Sequence, residues 1–299
     1  MSLGHNNSLF REPYYQNFID NGYKYLGHGY MHIVFEKDQK IYKILKSRFA
    51  AQDSMEKFVF EAENLNFLRK FGLPTARVLC IKKPGELIDN FHVLVEHKIS
   101  GNVPGRNDVQ AYQIYGIHNV LNTTHKISVS QFGPIGDPGL QKPTWCEYME
   151  YLVDRASFIA DLLHLNTHME YVKEYFKKDY VYIDTPRFII LDPNECNYIF
   201  DQNKQLAGII DIDHPLGFDP LYEYAAYLYS RPQQFFLMNK LGLIDKKSIH
   251  TIRKYAIIYS LYDTWFRYEK NQFCINDKIE FYINQVKNFI KNQEESRWL

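Results

Sequence analysis

Cysteine is scarce in this chain, and its few copies are not arranged to act together. Cys80, Cys146, Cys196 and Cys274 are scattered, with no CxxC pair and no Cys/His cluster. That pattern excludes a disulfide framework and a structural zinc site, and it suits reduced thiols in a cytosol. Neither sign of charge is in excess: Lys+Arg and Asp+Glu both number 35, so the formal net charge is zero. A nucleic-acid footprint or a polybasic membrane patch is therefore not expected. No apolar run approaches the roughly 18 residues of a membrane span. The opening MSLGHNNSLFREP has no apolar core, so a signal peptide is not expected and a cytoplasmic location is. There is no internal repeat and no low-complexity tail.

What the chain does have is size and aromatic content. Its 299 residues are ample for a sizeable core in one large domain or two lobes. Aromatics reach 16%, with 24 Tyr and 21 Phe, and they read first as core and groove lining. Residues 23–46 read as three strands joined by two turns, with Asp38-Gln39 as the tight turn between HIVFEK and KIYKIL. Residues 51–71 have helical apolar spacing through Phe58, Leu65 and Leu68, and Gly72 with Pro74 ends the helix. RVLCIKK and FHVLVEHKI read as two more strands. After Gly101 the pattern turns helical, over 107–125 and 144–175, with a Gly/Pro-rich loop between. Three short strands follow, FIILD, NYIFD and AGIIDID, and from about Leu221 the chain is mostly helical. The fold class expected is α+β: a five-stranded antiparallel sheet plus helix, then a mainly helical lobe, with a boundary near residues 97–101.

The segment 188–213, FIILDPNECNYIFDQNKQLAGIIDID, carries the chemistry. One apolar strand ends in Asp192. Asn197 follows five residues later at the head of the next strand, and a third apolar strand ends in Asp211. Side chains at strand ends can converge on one crevice. An Asp and an Asn there are hard oxygen ligands suited to Mg²⁺, and a second Asp can orient or deprotonate a hydroxyl. Taken singly, an Asp after a strand is a turn or cap residue.

In this spacing the chain resembles the aminoglycoside phosphotransferase family, a branch of the protein-kinase-like fold. The resemblance covers roughly residues 20–235 and is most specific in the C-terminal half. It implies a two-lobed fold, with a nucleotide-binding lobe over 1–97 and a helical catalytic and substrate lobe over 98–299. It implies Asp192 as the catalytic base, Asn197 and Asp211 as Mg²⁺ ligands, and FDPLYEYA from Phe218 as the segment that follows. Upstream, Gly27 and Gly29 resemble a glycine loop whose backbone approaches phosphate. Lys43, on the third strand, resembles the phosphate-contacting lysine. Glu61 fits the family's spacing for its helix partner, with Glu56 and Glu63 as competing choices. VLVEHKISG resembles the hinge between lobes, where backbone groups of Glu96, His97 and Lys98 would meet an adenine edge.

One departure stands beside the proposed base. The family has His-Gly directly before the catalytic Asp, and here those positions hold Ile190 and Leu191. Asp213 could share the metal work of Asp211. Asp219 reads as a helix cap ahead of Pro220, and His125 and His164 read as structural.

The function implied is transfer of a γ-phosphate from ATP (or GTP), with Mg²⁺, to a hydroxyl of a small molecule such as an antibiotic, amino alcohol or sugar. Glu147, Glu150, Asp154, Asp161, Glu170 and Glu223 could form an acidic pocket for a cationic acceptor, or simply solvated helix faces. Tyr222, Tyr224, Tyr227 and Tyr229 suit helix packing before substrate stacking. The alternative is an inactive nucleotide-binding module with a regulatory or interaction role. A protein kinase is a weaker reading, since no HRD-type loop, DFG or APE-like motif is present.

Overall fold

The computed structural model describes residues 12–29, 31–47, 54–105, 108–178, 180, 182–270, 284 and 287–291. The opening residues read for a signal peptide, residues 51–53 of the expected helix, and Cys274 lie outside these. Ten strands are described: β1 (Lys24–His28), β2 (His32–Lys37), β3 (Lys40–Leu45), β4 (Val78–Lys82), β5 (Val93–His97), β6 (Gly133–Pro134), β7 (Arg187–Ile189), β8 (Tyr198–Phe200), β9 (Leu206–Ile209) and β10 (Leu216–Phe218). The helices are α1 (Tyr15–Asp20), α2 (Ser54–Lys70), α3 (Ala111–Thr124), α4 (Trp145–Leu163), α5 (Asn166–Lys178), α6 (Pro220–Ser230), α7 (Pro232–Lys240) and α8 (Ile249–Lys270).

The chain divides into two compact units. One is Met1–Pro104 with Cys196–Asp213, and the other is Gly105–Glu195 with His214–Leu299. A chain-order boundary after residue 97 thus differs from the division by contacts, which runs to Pro104 and adds a later segment. The reason is backbone hydrogen bonding. Ile209 N–H donates to Pro74 O at 2.7 Å, Ala76 N–H to Ile209 O at 3.0 Å, and Asn102 and Phe200 exchange bonds of 2.8 and 2.9 Å. Gly101 permits this approach, because a Cβ there would stand 2.4 Å from Phe200 O.

In the first unit, β1 to β5 form one antiparallel sheet in the order β1-β2-β3-β5-β4. Asp38 and Gln39 take φ of 50° and 58°, as a two-residue hairpin turn demands. Period-two alternation gives the sheet two faces. Ile44, Val93 and Val95 pack with Tyr14 and Phe18 from around α1. Leu45 and Leu94 pack with Phe58 of α2. Lys43 pairs with Leu94 across the ladder and so stands on the α2 face.

In the second unit, β6, β10 and β7 make a small antiparallel sheet. The strand Leu216–Phe218 is absent from the sequence reading. It is three residues long and closed by prolines, too short to show alternation. The helix expected over 144–175 is two helices, because His164 takes left-handed φ 61° and ends α4. His164 is therefore an exposed cap rather than a core residue. Helix α8 packs on α4 and α6, and Tyr148, Phe218, Tyr222 and Tyr255 interlock edge to face. Tyr222, Tyr224, Tyr227 and Tyr229 are all buried, as packing requires. Asp219 caps α6, accepting from Leu221 N–H at 2.9 Å, with Pro220 as the first helical residue.

Candidate active site

The first unit gathers most of the residues singled out in the sequence. Lys43 is buried on β3, and its ammonium donates to Glu61 of α2 and, at 3.0 Å, to Asp211 Oδ1. Glu61 is thus the helix partner, and Glu56 and Glu63 are not. Both Lys43 and Glu61 are nearly fully buried, whereas the Asp211 side chain is 33% exposed. Burial alone lowers the Lys43 pKa, but the carboxylates of Asp211, Glu61 and Glu96 outweigh it and hold the ammonium well above its ordinary range. Burial raises the Glu61 carboxyl to about 8, with Lys43 opposing and Asp211 and Glu96 adding to the rise. One cation faces three carboxyl groups, and burial together with the acidic neighbours is what raises Glu61 and Glu96.

Asn197 and Asp211 are brought to the same end of the β8–β9 ribbon. Tyr198 pairs with Ile209, and Ile210 N–H donates to Asn197 O at 3.0 Å. Asp211 takes left-handed φ 64°. Asn64 of α2 holds the next residue, donating to Ile212 O at 3.1 Å. An amide oxygen and one carboxylate are hard donors too few for a full protein cage. That set would suit a cation such as Mg²⁺ that takes its remaining oxygens from outside the protein. Asp213 is half-buried two residues on.

Gly27 and Gly29 lie at the end of β1. No described residue comes within 4 Å of where a Cβ would stand at either, while the Gly29 N–H donates to His32 O at 3.0 Å. His97 N–H donates to Arg77 O and Lys98 N–H to Gln39 O, both at 2.9 Å, so these two amides are engaged within the unit. Glu96, whose side chain had no part in the sequence reading, is 2% exposed, and its Oε1 has no hydrogen-bond partner among the described residues. Burial raises its pKa, opposed by Lys43 and reinforced by Asp211. The signal in the sequence was an acid closing the apolar run VLVEH.

Asp192 belongs to the second unit and follows β7. The residue before it, Leu191, takes left-handed φ 57°, the region where glycine is at ease. Ile190 and Leu191 both donate N–H groups to Glu223 Oε1 at 3.1 Å. His125 Nε2 meets the other oxygen of Glu223 at 2.7 Å. Glu223 is 1% exposed, so it braces the loop instead of lining an acidic pocket. Glu147, Glu150, Asp154, Asp161 and Glu170 are exposed on α4 and α5. The sequence identified Glu223 as acidic but gave no sign of the backbone it holds.

No protein-family model matches the sequence, and no curated protein matches it significantly. Solved structures do match. A thermostable mutant of aminoglycoside phosphotransferase APH(4)-Ia, in ternary complex with AMP-PNP and hygromycin B, aligns at TM-score 0.63 and 15% identity, over 92% of this chain and 97% of that one. The GDP complex of wild-type aminoglycoside 2'-phosphotransferase-IIIa aligns at TM-score 0.65 and 15% identity, over 95% and 99%. The GDP and kanamycin complex of APH(2")-IIIa aligns at TM-score 0.61 and 16% identity, over 96% and 99%. The chain therefore has an α+β, protein-kinase-like fold. More narrowly, it is the fold seen in these aminoglycoside phosphotransferase structures, over 92–96% of the chain at 15–16% identity. Among the described residues no helix is long and apolar enough to cross a membrane.

Proposed function

We propose that this protein is a small-molecule kinase that moves the γ-phosphate of ATP or GTP to a hydroxyl group. The observation that carries this reading is the buried Lys43 ammonium, bonded at once to Glu61 and Asp211, with Asn197 tied to the residue before Asp211. In this reading Gly27 and Gly29 lie against the nucleotide phosphates. Lys43, held by Glu61, offsets charge on the phosphate oxygens. Asn197 and Asp211 would hold Mg²⁺, which supplies further positive charge at the phosphates when bound. Asp192 aligns the acceptor hydroxyl. As its oxygen bonds to the γ-phosphorus, the bond to the nucleoside diphosphate breaks and the proton passes to the Asp192 carboxylate. Such chemistry depends on positioning and charge more than on covalent work by the protein. The likeness to structures that hold kanamycin or hygromycin B supports a small hydroxyl-bearing acceptor.

The test is a Mg²⁺-dependent ATP and GTP turnover screen against aminoglycosides, macrolides, choline and sugars. Asp192→Ala should abolish turnover and leave nucleotide binding nearly intact. Asp211→Ala should weaken Mg²⁺-dependent nucleotide binding. Nucleotide binding without turnover on any acceptor would favour the inactive nucleotide-binding module, and full turnover by Asp192→Ala would remove it as the base.

A further inference from the structure

The loop from Ile190 to Asn197 joins β7 to β8 and carries the proposed base. Its first two N–H groups are taken by Glu223, as described. Asn194 N–H turns back onto Asp192 O at 2.7 Å. Three residues after Asp192, Glu195 is 1% exposed in a short 3₁₀ turn, Glu195–Asn197. A buried carboxylate needs a partner, and Glu195 has two on one oxygen. Arg231 Nε donates to Glu195 Oε2 at 2.7 Å and Gln234 Nε2 donates to the same atom at 2.9 Å.

Both partners come from the corner between α6 and α7. Arg231 is the residue between the two helices, with φ −140° and ψ 57°. Its backbone N–H donates to Tyr227 O at 2.8 Å and its Nη1 to Ser230 O at 2.9 Å. The guanidinium is thus fixed on its own corner and presents Nε outward. Gln234 lies in the first turn of α7 and is 3% exposed. Helix α6 also carries Glu223. The loop is therefore gripped at two points by one helical pair: at Ile190 and Leu191, and again at Glu195. Between the grips lie Asp192, Pro193 and Asn194, and the proline ring fixes its own φ. Glu195 is also the last residue of the second unit before the chain passes to Cys196.

We infer that Glu195, clamped by Arg231 and Gln234, is a positioning residue that sets the direction of the Asp192 carboxylate. This rests on the kinase reading of the loop. The clamp acts through the backbone and touches no reacting atom, so its loss slows the chemical step. A misplacement of about 1 Å is enough to cost on the order of a hundredfold in rate.

The experiment uses the full chain with Glu195→Ala, Arg231→Ala, the double variant and Gln234→Leu, each shown to be folded by circular dichroism. Two readouts are taken: kcat with KM for each substrate, and amide hydrogen exchange across residues 192–197. Either ion-pair variant should lower kcat by roughly ten- to a hundredfold, and the double variant should lose no more than the worse single one. Exchange in the loop should rise while that of α3 stays unchanged. Folded Glu195→Ala and Arg231→Ala with wild-type kcat and unchanged loop exchange would overturn the clamp. If those variants do not fold, Gln234→Leu removes only the hydrogen bond from an uncharged donor and leaves the ion pair. A smaller loss in the same direction supports the clamp, and wild-type behaviour in both readouts overturns it. Wild-type protein silent on every acceptor would count against the kinase reading, and the exchange measurement would still decide the clamp.

Discussion

Leu191 holds φ 57° immediately before Asp192. Left-handed backbone costs an L-residue about 1–2 kcal/mol through Cβ–carbonyl contact. Two N–H bonds to Glu223 offset that cost. The strain gives a comparison free of side-chain size. At most positions Ala is at least as stable as Gly, but at 191 the order should invert. Leu191→Gly should be more stable than Leu191→Ala by about 1 kcal/mol, read from urea unfolding midpoints. Equal midpoints, or Ala ahead, would mean the left-handed geometry is not held in solution. Leu191 thus holds a backbone shape that glycine would adopt freely.

At the scale of elements, α6 does the most work. Its N-cap Asp219 accepts from Leu221 N–H, Tyr255 OH and Tyr180 OH while 2% exposed. Burial raises its pKa above 3.8, against the pull of those hydrogen bonds. The folded state thus holds this proton more tightly than the unfolded chain. Asp219 therefore contributes its full stability below pH 3.8, and that contribution declines as pH rises through the raised folded value. Asp219→Asn cannot ionise. The stability gap between wild type and Asp219→Asn should be widest in acid and narrow as pH rises, measured by urea unfolding across the pH range. A gap that widens with pH would reverse the sign of the shift. One turn further on, Glu223 braces the Asp192 loop, so capping and site geometry are properties of the same helix.

At the scale of the whole molecule, ligand linkage offers the broadest check. A nucleotide that binds only the folded chain stabilises it by about 2.7 kcal/mol at a hundred times its Kd. Mg²⁺–ATP or Mg²⁺–GTP should therefore raise Tm by several degrees, and Lys43→Met should remove most of that rise. A Lys43→Met protein with the full rise would place the nucleotide elsewhere. The proposed site residues are divided between the two contact units. Lys43, Glu61, Asn197 and Asp211 all belong to one unit, although 168 positions separate Lys43 from Asp211. Asp192 belongs to the other.

The sequence by itself determined what is local or periodic. Alternation in HIVFEK and KIYKIL, the Asp38-Gln39 turn, the Gly72 stop and the Asp219-Pro220 cap are short-range steric and hydrogen-bonding preferences, and each is legible in a few residues. The order of Lys43, Glu61, Asp192, Asn197 and Asp211 was legible too, through its spacing. Tertiary structure alone decided which long-range partners those groups found. It chose Glu61 over Glu56 and Glu63, because only Glu61 meets the face of β3 that carries Lys43. It buried Glu96 beside that lysine. It turned Glu223, read as a pocket acid or a solvated face, and Glu195, which the sequence did not single out, into anchors of one loop. None of these follows from periodicity. A buried carboxylate is stable only where a donor arrives from another element, and that arrival depends on packing across tens of residues.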